Sequence, residues 1–206
     1  MDENFWHERW KNNEIPFHES EANKHLVNNF DKLQINAKSR IFIPLCGKTL
    51  DIGWLLSRGY RVVGAELSEF AINELFKQLE INPIIKDTGS LKRYSAPNLD
   101  IFVGNIFELK IEEIGLVDAI YDRGAYVALP EEIRFQYSQH MKDITKNAPQ
   151  LLIAYEYNQD LMKGPPFSIP PTELDINYND TYKITTLTSQ DVEGGLKGIC
   201  AAKENV

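Results

Sequence analysis

Ile41-Phe42-Ile43-Pro44-Leu45-Cys46-Gly47-Lys48-Thr49, then Leu50–Gly59, then Arg61-Val62-Val63-Gly64-Ala65-Glu66: the order of these three pieces decides the architecture. Ile41–Ile43 is a short apolar, β-prone run stopped by Pro44, and Arg61–Ala65 is a second that ends at Glu66, so both read as buried strands. Between them Trp54, Leu55 and Leu56 fall at helical spacing and Gly59 stands where a helix terminates. Two apolar strands joined through a helix form a βαβ unit, the signature of an α/β protein with a parallel sheet.

Outward from that unit the pattern repeats. Ser68 is placed to cap the next helix, Glu69 suits its positive N-terminal end, and Ile72, Leu75, Phe76 and Leu79 share one face. Further strands are predicted at Asp100–Val103, Val117–Tyr121 and Leu151–Tyr155. A helix with Pro130 in its first turn carries Ile133, Tyr137, Met141 and Ile144 inward and is closed by Pro149. Gly164-Pro165-Pro166-Phe167 reads as a rigid loop. Tyr182–Ser189 and Gly198–Lys203 read as late strands turning through Glu193-Gly194-Gly195, an antiparallel edge.

Composition narrows the function classes. The 206 residues suffice for one two-faced α/β domain and not for two separate cores. No run of about 18 apolar residues could span a bilayer, and Met1–Lys11 is charged and aromatic where a secretory signal would be apolar. Two cysteines, Cys46 and Cys200, lie far apart with no CxxC spacing, which argues against a zinc site and a disulfide framework and fits a cytoplasmic protein. A net charge of −8 without a basic cluster argues against nucleic acid. We therefore expect a cytoplasmic monomer acting on a small molecule, with no membrane or nucleic-acid partner.

In an open parallel sheet, ligands sit beyond the carboxyl ends of the strands. After the first strand, Gly47 lets backbone approach a ligand, and the following helix start offers free N–H groups for a carboxylate or phosphate. Gly47-Lys48-Thr49 imitates the end of a phosphate-binding loop, but Phe42 stands where that loop needs its first glycine. The dinucleotide fingerprint also fails, with Leu45 two before Gly47 and Leu50 three after it. Glu66 closes the second strand 19 positions after Gly47, close to the roughly 20-residue interval at which an acidic residue accepts from ribose hydroxyls. A ribose-bearing ligand other than a dinucleotide follows.

Pro44-Leu45-Cys46-Gly47-Lys48, Ile120-Tyr121-Asp122-Arg123-Gly124-Ala125 and Gly164-Pro165-Pro166-Phe167 together resemble thiopurine S-methyltransferases. The likeness extends through Trp6 to Trp10, Pro16-Phe17-His18, Gly64–Glu69 and Asn105-Ile106-Phe107. The resemblance implies a Rossmann-like α/β fold: a seven-stranded, mostly parallel sheet with helices on both faces and an antiparallel late strand. It implies S-adenosylmethionine as cofactor, S-adenosylhomocysteine as product and a small thiol as methyl acceptor. Carried onto this chain, it puts Trp10 over the cofactor, Leu45 beside it, Glu66 at the ribose, Asn105 and Ile106 at the adenine, and Arg123 at the methyl-transfer site. One domain over 1–206 is expected, with 1–30 as a helical cover whose Phe17, together with Phe167, offers apolar faces to a flat substrate. His7, His18, His25 and His140 show no partner at catalytic spacing and are read as structural or exposed. The family's animal members carry a basic residue in the late loop; here Gln190–Leu196 has none and Lys197 follows, and the last strand ends early. Two other classes stay open: a methyltransferase directed at halide, oxygen or nitrogen, and a non-catalytic binder of the cofactor.

Overall fold

Alternation along the strands builds the core on two faces of one sheet. In β1 (Arg40–Ile43), Ile41 and Ile43 face one way and Phe42 the other, and β2 (Arg61–Glu66) splits Val62 from Val63 in the same manner. The computed structural model describes residues 3–206. α1 (Glu3–Lys11) and α2 (Lys24–Asn29) precede β1, and the first two residues of the expected cover lie outside the described residues. α3 (Asp51–Ser57) connects β1 to β2, whose pairing is parallel with Ile41 opposite Val62.

Ser68 caps α4 (Glu69–Gln78) by accepting from the Ala71 N–H, and Ala71, Ile72, Leu75 and Phe76 form its buried stripe. After β3 (Ile84–Thr88) and β4 (Leu91–Ala96) come β5 (Leu99–Val103), the short α5 (Ile111–Ile114), β6 (Ala119–Arg123), α6 (Glu131–Thr145), β7 (Gln150–Tyr157), α7 (Pro171–Tyr178), β8 (Ser189–Asp191) and β9 (Ala202–Asn205). The sheet order is β3-β4-β5-β2-β1-β6-β7-β9-β8, parallel from β5 through β7 and antiparallel at both ends. Met141 and Tyr137 of α6 fill one face with Phe42, Val63 and Ile120, while Ile52 and Leu55 of α3 join α4 on the other.

Among the described residues the sheet has nine strands where seven were expected. The additional pair is the hairpin β3–β4, whose first strand is almost wholly exposed, so it lacks the apolar alternation that marks a strand in sequence. At the other edge the antiparallel pair exists but is displaced: 182–188 lies outside the strands, and pairing falls to Ser189–Asp191 and Ala202–Asn205. Gly194, Gly195 and Gly198, with φ of 72°, 78° and 67°, curl the connection into a compact loop closed by Leu196 against Cys200. Pairing resumes only where that loop has finished, and β9 covers only the second half of β7, from Ala154 to Tyr157. No helix among the described residues is long and apolar enough to cross a membrane, and no cluster of potential metal ligands occurs there.

Candidate active site

The chain leaves β1 in both directions across the sheet, toward β2 on one side and β6 on the other, which is where an open α/β sheet forms a crevice. At that point the turn after β1 is left-handed twice, at Leu45 (φ 44°) and Gly47 (φ 52°). Two bonds to β2 hold the turn: the Cys46 N–H donates to the Ala65 carbonyl at 2.9 Å, and the Gly47 N–H donates to Glu66 Oε2 at 2.8 Å. Glu66 Oε1 accepts from the Ser68 N–H at 2.8 Å, so one carboxylate ties the β1 turn to the start of α4. Burial pushes the Glu66 carboxyl up from its ordinary value, opposed by these amide donors. Gly47 and Glu66 thus meet at one rim, as the sequence spacing requires.

A cavity of about 570 Å³ opens there, within the roughly 300–1,000 Å³ range of small-molecule sites. Leu45, Cys46, Gly47 and Glu66 form its floor, Arg123 and Gly124 its far side, and Trp10, Phe17, Pro165 and Pro166 its apolar cover. Trp10 is only 5% exposed although its helix is otherwise polar. Its indole lies so close to Gly47 that a Cβ there would stand 2.7 Å from Trp10 Cζ2. Phe17 packs edge-on against Trp10 with ring centroids 5.6 Å apart. Cys46 is buried and its thiol is pushed well up by desolvation and the nearby Glu66 charge, so it is no nucleophile.

Arg123 enters the cavity from the end of β6 with its side chain 15% exposed. Its Nη2 donates to Glu19 Oε1 at 2.6 Å and to the Phe17 carbonyl at 2.8 Å. Burial disfavours its charge, but Glu19, Tyr121 and Asp51 outweigh that, and the guanidinium stays protonated. Asp122, the sequence neighbour that could have paired with it, points the other way and accepts from Ala125 N, Tyr126 N and the Tyr137 hydroxyl. The cover is stitched to this rim: Asn23 donates from its side chain to Glu19 and from its backbone to Asp51, at 2.7 Å for the latter.

Three residues expected at the site do not line this cavity. Asn105 caps the turn after β5 by accepting from Phe107 N and donates to Glu3 Oε1 of α1 at 2.9 Å, which anchors the cover from the other side. Ile106 is buried in the core cluster on the α6 face of the sheet. Phe167 folds over Gly164, leaving Pro165 and Pro166 to face the cavity. Sequence reasoning assigned no site role to others that do line it. His18 was read as structural or exposed; it lies in the wall, its pKa lowered by burial and by Lys48 and Arg123, and is neutral at pH 7. Arg9 and Lys197 reach the cavity from α1 and from the loop between β8 and β9. Their charges in polar segments gave no signal of where they point.

The residues fit an adenosyl amino acid: an acceptor carboxylate at the end of β2, a left-handed glycine turn on which the Trp10 indole leaves no room for a Cβ, an aromatic roof and nearby cations. Comparison with known proteins agrees. The family model "Thiopurine S-methyltransferase (TPMT)" matches residues 1–204. A thiopurine S-methyltransferase of Xanthobacter autotrophicus is 48% identical over 207 residues, covering 100% of this chain and 97% of the relative. One from Teredinibacter turnerae is 47% identical over 206 residues, covering 100% and 96%. Among solved structures, the 1,6-didemethyltoxoflavin-N1-methyltransferase of Burkholderia thailandensis, with S-adenosylhomocysteine bound, superimposes with a TM-score of 0.66 at 12% identity, covering 98% of this chain and 85% of its own. A SAM-dependent methyltransferase of Anabaena variabilis does so with a TM-score of 0.62 at 14% identity, covering 98% and 93%. Those two likenesses speak to the fold; the sequence match, end to end, places the chain in the thiopurine S-methyltransferase family of S-adenosylmethionine-dependent enzymes.

Proposed function

We propose that the methyl acceptor is the sulfur of a small thiol, taken as its thiolate, and that Arg123 holds that charge. The observation that carries this reading is a permanently protonated guanidinium, largely buried, facing an apolar-roofed cavity across from the Gly47–Glu66 pair. A cation within about 4–6 Å of a thiol lowers its pKa by roughly 1–3 units, enough to make an aromatic thiol fully ionised at neutral pH without a strong base. The bound cofactor supplies a methyl group already activated by its sulfonium. What remains for the chain is alignment and exclusion of water, worth several kcal/mol, and the cover of Trp10, Phe17, Pro165 and Pro166 is suited to both.

In this reading Glu66 accepts from the ribose hydroxyls through lone pairs the Gly47 and Ser68 amides leave free, Gly47 and Leu45 lie along the cofactor, and Asn105 and Ile106 flank the adenine once it is seated. The Trp10 face adds a cation–π attraction of about 0.5–2 kcal/mol to the sulfonium. Phe17 and Phe167 border a flat acceptor, Phe167 after the 164–167 loop has adjusted. The whole chain works as one cytoplasmic, monomeric methyltransferase domain with 1–30 as its cover.

A panel of thiols with methyl-labelled S-adenosylmethionine tests the assignment, with iodide and a phenol as controls. Methylated aromatic thiols support it; turnover confined to iodide or the phenol, or tight cofactor binding with no turnover, refutes it. Arg123→Ala should lower kcat/KM for a thiol at least about a hundredfold while changing the S-adenosylhomocysteine Kd by no more than about threefold. Equal losses in both would remove Arg123 from the methyl-transfer role.

A further inference from the structure

A neutral thiol must lose its proton before or while it takes the methyl group, and a cover that keeps water from the cavity also closes the ordinary route for that proton. An alkyl thiol is ionised only to about a few per cent at pH 7, so it arrives with its proton attached. Arg123 shares its charge with Glu19 at 2.6 Å and, as a permanent cation, can hold a thiolate but accepts no proton. Glu66 is occupied by the amides of Gly47 and Ser68, and Cys46 is a buried thiol. The wall formed by β7 offers another acceptor.

Ile153 and Tyr155 stand two apart on β7 and both line the cavity. The Tyr155 hydroxyl feels the charges of Arg123 and Glu19, and Arg123 in turn feels Tyr155, which sets the phenol near the guanidinium. The same hydroxyl donates at 3.0 Å to Oε1 of Glu204, the residue directly opposite it on β9. The His25 Nε2–H of α2 donates to Glu204 Oε2 at 2.7 Å, and the Lys24 ammonium stands 3.7 Å from that oxygen. Gln190, opposite Glu204 on β8, is uncharged. These groups lead from the cavity wall to the surface, since the Glu204 side chain is 13% exposed and that of Lys24 66%. Burial and the Glu204 charge keep the Tyr155 hydroxyl protonated, so it takes a proton only by passing one on. Because its own O–H points to Glu204, its lone pairs are left for a donor in the cavity.

We propose that Tyr155 and Glu204 together take the proton from acceptors that enter un-ionised, which extends the reaction to alkyl thiols, with His25 as a positioning residue that holds the carboxylate. The inference rests on the thiol reading above. As the acceptor sulfur bonds to the methyl carbon, its S–H bond breaks toward the Tyr155 oxygen, and the Tyr155 O–H proton moves to Glu204 Oε1. The electron pair of the breaking C–S bond stays on the departing sulfur. Glu204 then releases the proton to solvent on the Lys24 side, and both side chains return to their starting states.

The test compares 2-phenylethanethiol, un-ionised at neutral pH, with 4-nitrobenzenethiol, which is ionised before it binds. The wild-type protein should methylate both. Tyr155→Phe removes one oxygen and keeps the ring; it should lower the ratio of kcat/KM for the alkyl thiol over the aryl thiol about a hundredfold at pH 7. Glu204→Gln should lower that ratio to a similar extent, and His25→Asn about tenfold. Raising the pH to about 10, where the alkyl thiol ionises by itself, should restore most of the ratio in Tyr155→Phe, a recovery that a merely structural role would not give. Calorimetry with S-adenosylhomocysteine, which needs no turnover, should give Kd values within about twofold of wild type for Tyr155→Phe and Glu204→Gln. A wild-type protein that methylates the aryl thiol and ignores the alkyl one overturns the inference and leaves the thiol reading standing. Equal losses for the two thiols in Tyr155→Phe overturn it as well. So does a ratio that falls in His18→Gln and holds in Tyr155→Phe, since the proton then goes to the imidazole in the cavity wall. Methylation of neither thiol removes the thiol reading and the inference together.

Discussion

Asp122 stands beside Arg123 in sequence and does the opposite work. Its carboxylate is fully buried and answers to three donors, the amides of Ala125 and Tyr126 and the Tyr137 hydroxyl, which fix the turn that aims Arg123 into the cavity. Burial outweighs those donors and raises its pKa from 3.8 to about 6. Between those two values the folded chain keeps a proton that the unfolded chain has lost, so this group's contribution to stability falls as pH rises through the window and is flat above it. The rise corresponds to about 3 kcal/mol at most. Asp122→Asn should flatten that part of the pH profile: urea midpoints for the wild-type protein should drop from pH 4 toward pH 6.5 relative to those of the variant. Parallel profiles would show that Asp122 ionises normally. Glu66 is raised in the same direction by its own burial, but its two amide bonds make it a fixed acceptor at the rim. Glu66→Ala should raise the S-adenosylmethionine Kd by at least about tenfold in calorimetry, and an unchanged Kd would deny it the ribose contact.

The β1–α3 turn is the element where sequence and site coincide. Gly47 was legible because a glycine after an apolar strand, with an acidic residue closing the next one, has few other uses, and its φ of 52° with Trp10 overhead accounts for both constraints. The parallel strands and α4 were legible for a related reason: burial on both faces leaves near-continuous apolar runs, and burial on one leaves a helical stripe. What escaped were elements whose residues face solvent. The β3–β4 hairpin buries chiefly Leu91 and Tyr94, and α7 buries Asn177 and Tyr178, so neither carries a periodic signal. The places of His18, Arg9 and Lys197 in the cavity were not legible either, although Lys197 stood out as the basic residue after the late loop, since a polar side chain in a polar segment gives no direction until the segment is folded back over the sheet. Gly47→Ala puts the turn's reading at risk. A Cβ 2.7 Å from the Trp10 ring, on a left-handed backbone, should push the indole off the turn and cut cofactor affinity more than tenfold. Stability should fall by only about 1–2 kcal/mol, since the turn is at the rim. A variant with wild-type affinity would show that the indole yields without consequence.

At the scale of the whole molecule, the cover and the sheet are separable in energy though joined in function. Among the described residues, neither of the two large hydrophobic clusters contains one before Leu26; they are built from the strands and chiefly from α2, α3, α4 and α6 on the two faces. The cover instead turns its apolar surface to the cavity, Trp10 on Gly47 and Phe17 on Trp10, and its Glu19 pairs with Arg123. Apart from Leu26 and Phe30, which belong to one of the core clusters, its attachments to the body are chiefly polar bonds, among them Glu3 to Asn105 at one end and Asn23 to Asp51 at the other. Such an arrangement lets a ligand enter and leave by moving a segment whose displacement costs little of the folding free energy. Removing residues 1–19, which spares the Asn23 cap of α2 and its bond to Asp51, should therefore leave a folded sheet. For a chain of this size the thermal midpoint should drop by about 2–8 °C, the shift expected for a loss of one to two kcal/mol. S-adenosylhomocysteine affinity should fall at least about a hundredfold, because the roof over Gly47 and Glu66 is gone. Circular dichroism melts and calorimetry on the truncated chain separate the outcomes. A truncated chain that does not fold would make the cover part of the core, and one that binds the cofactor product as tightly as the intact chain would leave Trp10 with no part in holding it.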